Sequence, residues 1–254
     1  MAQWLARGRH RHGAAARLPR LRIFLLIAAP LLAACAAAPS PRAAAEHLQR
    51  VELLALLQTL NADLLSHDSA TLTLERWCAD HGLAGNSAAE PARIVARRIR
   101  DADKPLPDDL RARLAIANDQ ALRYRRVQLA CGGVVLSEAD NWYVPARLGP
   151  GMERALETTD TPFGKVVAPL GFQRSTLSAQ LLWSPLAAGW ELSAGQPAAD
   201  AAGAPLHIPH VVLQHRAILV AADGTPFAAL IETYSGDLLR FGAWQRYSTV
   251  PTKQ

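Results

Sequence analysis

From Glu46 onward, apolar residues recur at steps of three and four: Leu48, Val51, Leu53, Leu54, Leu57, Leu60, Leu64 and Leu65. That period predicts an amphipathic helix of about five turns. HDSAT, residues 67–71, interrupts it and offers Asp68 or Ser69 as the cap of a second helix over TLTLERWCADHG. ARIVARRIR, 92–100, reads as a strand or a short helix, because the polar turn PLPDDL at 105–110 follows it. Alternation then takes over. YRRVQLACGGVVLSEADNWYVP reads as two strands broken around Gly132–Gly133 and Ala139–Asp140, GMERALETT as a short helix, and FQRSTLSAQLLW as a further strand. AAGWELSAGQPAADAAGAPLHIP is rich in small residues and marks a long insertion over 184–206. Helices first and an antiparallel sheet afterwards predict one α+β domain.

The last apolar segment, HRAILVAADGTPFAALIETYS, is the most informative. Asp223–Gly224 between two alternating runs predicts a hairpin with a two-residue turn. Ala222 then faces Thr225, and counting outward sets His215 opposite Glu232. Ala228, Leu230, Glu232 and Tyr234 share one face. An acid on that face is either at the rim, paired with His215 or Arg216, or it answers something bound.

Composition adds little to this. The chain has 254 residues, 50% hydrophobic and 19% charged, as one globular domain does. Its net charge of +5 comes from six arginines and no acid before residue 23; without them the remainder carries −1. The one dense basic run left, ARIVARRIR at 92–100, reads as a solvated face rather than a polyanion site, so no nucleic-acid partner is expected. His207, His210 and His215 lack a carboxylate or cysteine pattern for a metal, so none is expected there. Ser175 and Ser184 lack the setting of a hydrolase nucleophile. Cys78 and Cys131 form a disulfide or remain two buried thiols; spacing does not choose.

The front end carries an address. An arginine-rich start leads into IFLLIAAPLLAA, about twelve apolar residues and too short to span a bilayer. The run ends in Leu32-Ala33-Ala34-Cys35, which resembles the lipobox of bacterial lipoproteins. That resemblance implies a signal peptide over 1–34, lipidation of Cys35, a membrane partner through acyl chains such as palmitate, and a place at the periplasmic face of the outer membrane. AAAPSPRAAA completes a tether over 35–45, with the domain over 46–240 and a tail over 241–254.

In the body, LLSHDSATLTLE, RRVQLACGG with a following VP strand end, TPFGKVVAPLGFQRS and the hairpin ending in LIET appear in an order that resembles the chorismate pyruvate-lyase family. The likeness runs from about Leu64 to Ser235. It implies a chorismate lyase-like fold and removal of pyruvate from chorismate, or a related cyclic enolpyruvyl acid, to leave a hydroxybenzoate, with no metal or organic cofactor. Carried over by motif, the substrate-binding positions are Ala70 in the DSAT turn, Arg126 (with Arg125 beside it) opening the strand, Phe163 in the TPFG turn, and Glu232. Arg126 and Glu232 are the expected catalytic pair, one gripping a ring carboxylate as a planar fork and the other accepting from a ring hydroxyl. A second reading, from a different class, is a non-catalytic anchored lipoprotein that binds a small aromatic or cyclic carboxylate. The same fold serves as an effector-binding module in some transcription regulators.

Overall fold

The computed structural model describes residues 40–85, 92–100, 103–117, 120–192, 205–242 and 244. The expected signal peptide and Cys35 lie outside these residues. The first helix, α1 (Pro41–Leu65), begins before the apolar repeat does. Ser40 caps it by accepting from the Ala43 amide, and Pro41 supplies a fixed φ at the first turn. Residues 41–45, expected as tether, are therefore helical. Leu53, Leu57, Leu60 and Leu64 are its buried stripe, whereas Leu48 and Leu65 are exposed.

In α2 (Ala70–Asp80) the cap is Ser69, whose side chain accepts from the Leu72 amide. Asp68 is thereby released from capping and instead accepts from the distant Arg174 amide at 2.8 Å. The basic run resolves as a strand, β1 (Ile94–Ile99), followed by α3 (Asp108–Leu114). Next come β2 (Arg123–Cys131) and β3 (Val134–Tyr143); the latter passes through Ala139–Asp140 without a break. Gly132 turns this hairpin at φ +58°, and a Cβ there would lie 3.2 Å from the Ala84 backbone, so no larger residue fits unstrained. Two short helices, α4 (Met152–Thr158) and α5 (Phe163–Val167), precede β4 (Gln173–Leu181). The chain closes with β5 (Val211–Val220) and β6 (Pro226–Ser235). Of the expected insertion, 184–192 is described and holds a 3-10 turn at Trp190–Leu192; of the expected tail, Phe241 and Trp244 pack on the core.

The six strands form one sheet in the order β1-β2-β3-β6-β5-β4, antiparallel throughout. Its inner face packs against α1 and α2 through Leu53, Leu57, Leu74, Val127, Leu129 and Leu213. Towards the other end the same face meets α4 and α5 through Leu156, Phe163, Val167, Leu219 and Leu230. The outer face is covered in part by α3, where Leu110 and Leu114 meet Trp142, Ile218 and Ala229. Helices packed on one antiparallel sheet are the α+β class expected from the sequence, and the described residues fall in one compact unit.

Cys78 of α2 is bonded to Cys131 at the end of β2, with Cα atoms 6.5 Å apart and both residues fully buried. This bond ties the helix layer to the sheet. The hairpin register at its centre is the counted one, His215 opposite Glu232, but the tip differs. The Ala221 amide donates to the Thr225 carbonyl, so three residues rather than two make the turn. A bulge between Leu219 and Val220 absorbs the extra residue and swings Phe227 to the inner face.

Candidate ligand-binding site

The inner face of β6 carries Ala228, Leu230, Glu232 and Tyr234, all buried, as the alternation requires. Above them lies a narrow cavity, open at its mouth. Asp68, Ser69, Ala70 and Thr71 form one wall, at the start of α2. Phe163, Gly164, Phe172 and Arg174 form the opposite wall. Val127, Leu129, Ala139, Asn141, Leu219, Leu230 and Glu232 make the floor, on the sheet. Phe163 stacks on Phe227 with centroids 6.5 Å apart, and Phe172 meets the same ring edge-on at 6.3 Å. Phe227 thus holds the apolar wall from behind.

Gly164 permits the two walls to approach. A Cβ at that position would stand 3.2 Å from Ser69 Oγ and 3.5 Å from Thr71 Oγ1. With Ser69 occupied by the Leu72 amide, the Ala70 and Thr71 amides at the mouth of α2 have no acceptor within the helix. Backbone donors and the positive end of an 11-residue helix therefore face the cavity.

Ala70, Phe163 and Glu232 line this one cavity. Arg126 does not. It occupies the opposite parity of β2, on the outer face, where its guanidinium meets Glu138 at 2.6 Å. There it borders a broad polar groove with Lys104, Asp140 and Thr233. The ring-gripping pair expected of Arg126 and Glu232 is thus separated by the thickness of the sheet. Strand parity is the physical reason: consecutive residues point to opposite faces, so the inward arginine is Arg125.

Glu232 is also not waiting for a hydroxyl. Arg174 Nη2 lies 2.5 Å from Glu232 Oε2, with the two side chains 2% and 7% exposed. The Tyr234 hydroxyl donates to the same oxygen at 3.2 Å. Burial, reinforced by the charge of Glu232, pushes the Tyr234 pKa well above its ordinary value. Neither rim pairing, with His215 or with Arg216, is the one formed. Arg174 is the residue that sequence reasoning missed. It sits in a strand read as simple alternation, and only the place of β4 at the far side of β5 brings it to Glu232.

Arg125 is 2% exposed, and its Nε and Nη1 atoms are buried without a hydrogen-bond partner. Its remaining contact is a long one, Nη2 to the Thr161 carbonyl at 3.4 Å. Burial, and then the positive charge of Arg98, lower its pKa to about 10. It shares the inner face with Val127 and Asn141, both of which line the cavity. A buried cation whose donors are unmet is a site's most costly element until an anion arrives.

Behind Glu232, the fully buried His215 places Nε2 2.8 Å from Asn61 Oδ1 on α1, so Nε2 is the donor and Nδ1 is bare. Burial, then Arg174, lower its pKa to about 4 from 6.5. The neutral ring is the folded form, so its contribution to stability is full above about pH 6.5 and is lost as pH falls towards 4. Thermal melting from pH 7 to 4 is expected to show this loss, and His215→Gln to flatten it. An unchanged slope would refute it.

No family model matches the chain. Uncharacterized protein y4mC of Sinorhizobium fredii is 50% identical over 196 residues, covering 77% of this chain and 80% of that one. Among solved structures, PhnF from Mycobacterium smegmatis matches with a TM-score of 0.40 and 12% identity, over 74% of this chain and 70% of that chain. The effector domain of PhnF matches at 0.39 and 13%, over 74% and 95%. A possible transcriptional regulator, YydK of Bacillus subtilis, matches at 0.34 and 14% over 65% of this chain; the chain spans 64% of it, under two thirds. The expected lyase is overturned by the geometry: its two catalytic residues, Arg126 and Glu232, face different spaces. The anchored binder of an aromatic or cyclic carboxylate, the lipid anchor and the exclusion of nucleic acid find no support in these matches. Among the described residues, no helix is long and apolar enough to cross a membrane.

Proposed function

This chain belongs to the family of the uncharacterized protein y4mC of Sinorhizobium fredii, and on that premise we propose that its α+β domain is a sensor of a small anionic molecule, held in the cavity under α2 and α5 without chemical change. Arg125, which lies on the same inner face as the cavity-lining Val127 and Asn141 without itself lining the cavity, carries the reading. An arginine this deeply buried, with two nitrogens unmet, is stabilised by an incoming oxyanion and by little else at hand. The Ala70 and Thr71 amides add donors at no side-chain entropy cost. Phe163, Phe172 and Leu230 supply the apolar contact that an organic ligand needs. Arg174 and Glu232 neutralise each other.

The proposed place of work is an oxidising compartment outside the cytoplasm. The Cys78–Cys131 bond supports that reading, because such bonds persist where thiols are not kept reduced. Melting in the presence of inorganic phosphate, phosphorylated three-carbon compounds and short organic acids tests the function. A true ligand at a hundred times its Kd is expected to raise Tm by about 5–10 °C. Arg125→Gln is expected to abolish most of that rise. No rise across the panel, or a rise that survives Arg125→Gln, would overturn the reading.

A further inference from the structure

α3 covers only part of the outer face of the sheet, around Trp142, Ile218 and Ala229. Farther along the strands lies the broad groove that Arg126 borders. The strand register fixes what this groove presents. Glu138 pairs with Gln128 on β2 and with Thr233 on β6, and Thr233 pairs in turn with Gln214 on β5. Gln214 pairs with Gln180 on β4, so one polar row crosses five strands at steps of about 4.8 Å. In the adjoining row Arg126 faces Asp140, and Asp140 faces Ile231.

A solvated sheet face is polar as a rule, but here the side chains hold one another in place. Glu138 accepts from Gln128 Nε2 at 2.9 Å and from Arg126 Nη2 at 2.6 Å. Gln214 Nε2 donates to Thr233 Oγ1 at 3.1 Å. Asp140 takes the Tyr124 hydroxyl on one oxygen at 2.6 Å and Lys104 on the other at 2.7 Å. Side chains already fixed lose little entropy when a ligand arrives. Each Glu138 oxygen keeps a lone pair, and among the described residues Gln214 Oε1 and the Thr233 hydroxyl proton have no partner. Along the row the open groups thus alternate: acceptor, donor, acceptor. The ion pairs Arg126–Glu138 and Lys104–Asp140 cancel in charge.

We propose that this groove is a second binding site, for a neutral oligosaccharide laid across the strands. A hydroxyl is donor and acceptor at once, so a run of hydroxyls answers alternating acceptors and donors. An oxyanion brings acceptors alone, and an ammonium group donors alone. An extended peptide carries both, but its successive N–H and C=O groups point to opposite sides, so half would face away from the sheet. The step between strands is close to the length of one sugar ring, which lets successive rings meet successive strands. Ile231, Val135 and Val211 offer aliphatic contact to the C–H faces of those rings. The site lies on the opposite face of the sheet from Glu232 and the cavity, and does not depend on the sensor reading.

Titration of the full chain with cellotetraose, maltotetraose and chitotetraose, against glucose as the single ring, tests this. At least one tetrasaccharide is expected to bind about tenfold or more tighter than glucose, because it reaches several strands at once. It is expected to shift the backbone amide resonances of Glu138, Gln214 and Thr233 in the unaltered protein, while those of Ala70 and Gly164 at the cavity stay in place. Raising the salt to about 0.5 M is expected to change the affinity by less than about twofold, since no net charge is used. Gln214→Leu with Thr233→Val is expected to weaken binding by about tenfold or more. Absence of binding by all three at millimolar concentration would overturn the inference. So would binding that follows salt, survives the double variant, or shifts only Ala70 and Gly164.

Discussion

Arg174→Ala is expected to cost about 3–5 kcal/mol of folding stability at neutral pH, because it strands the Glu232 carboxylate in a buried site. The ion pair is 2.5 Å long, and both side chains are almost wholly shielded from water. Solvent screening therefore offers no relief. The loss is a cost of isolation rather than a measure of the pair's net value, and a double variant separates the two. Arg174→Met with Glu232→Gln leaves no buried charge and is expected to recover most of the deficit. Urea midpoints at unchanged slope are the appropriate measure. A single variant within 1 kcal/mol of the parent, on the order of a surface substitution, would mean that Glu232 finds another partner or water.

Removing the Cys78–Cys131 bond is expected to cost about 4 kcal/mol, from the loop-closure entropy of the 53-residue separation. For a chain of this size that is a fall in Tm of about 8–16 °C. Cys78→Ala with Cys131→Ala adds a small cavity between α2 and β2 to the entropic loss, since both residues are fully buried. Cys78→Ser with Cys131→Ser is expected to be worse, because it buries two hydroxyls among Leu74, Leu129 and Leu136. A calorimetric Tm within about 2 °C of the parent for the alanine pair would show that the unfolded chain is already constrained there.

Local signals carried much of the architecture. The stripe of α1, the serine cap of α2 and the alternation of β6 are all short-range periodicities, and each appears where the residues indicate. The pairing of His215 with Glu232 followed from counting alone, even though the turn at the tip is longer than counted. What counting could not supply was parity in β2 and adjacency of β4. Arg125 and Arg126 are neighbours in the sequence, yet one is buried on the cavity side and the other meets Glu138 on the far side. A motif gap of one residue decides between them, and only the pairing of Arg125 with Asn141 and of Arg126 with Asp140 fixes the choice. Arg174 depends on a partner far along the chain, joined through a strand order that no local pattern encodes. The disulfide lay in the same blind spot, since its distance is set by how α2 crosses β2.

The irregular tip of the last hairpin separates two properties that the cavity would otherwise share. Shortening the Ala221–Thr225 connection by one residue would remove the need for the bulge and send Phe227 to the α3 side. Phe163 and Phe172 would lose their backing, while Glu232 and Arg174, farther down the ladder, would keep their places. Variation in loop length at that tip can therefore reshape the greasy end of the chamber and leave its charged end alone, a route by which relatives could change ligand without rebuilding the strands.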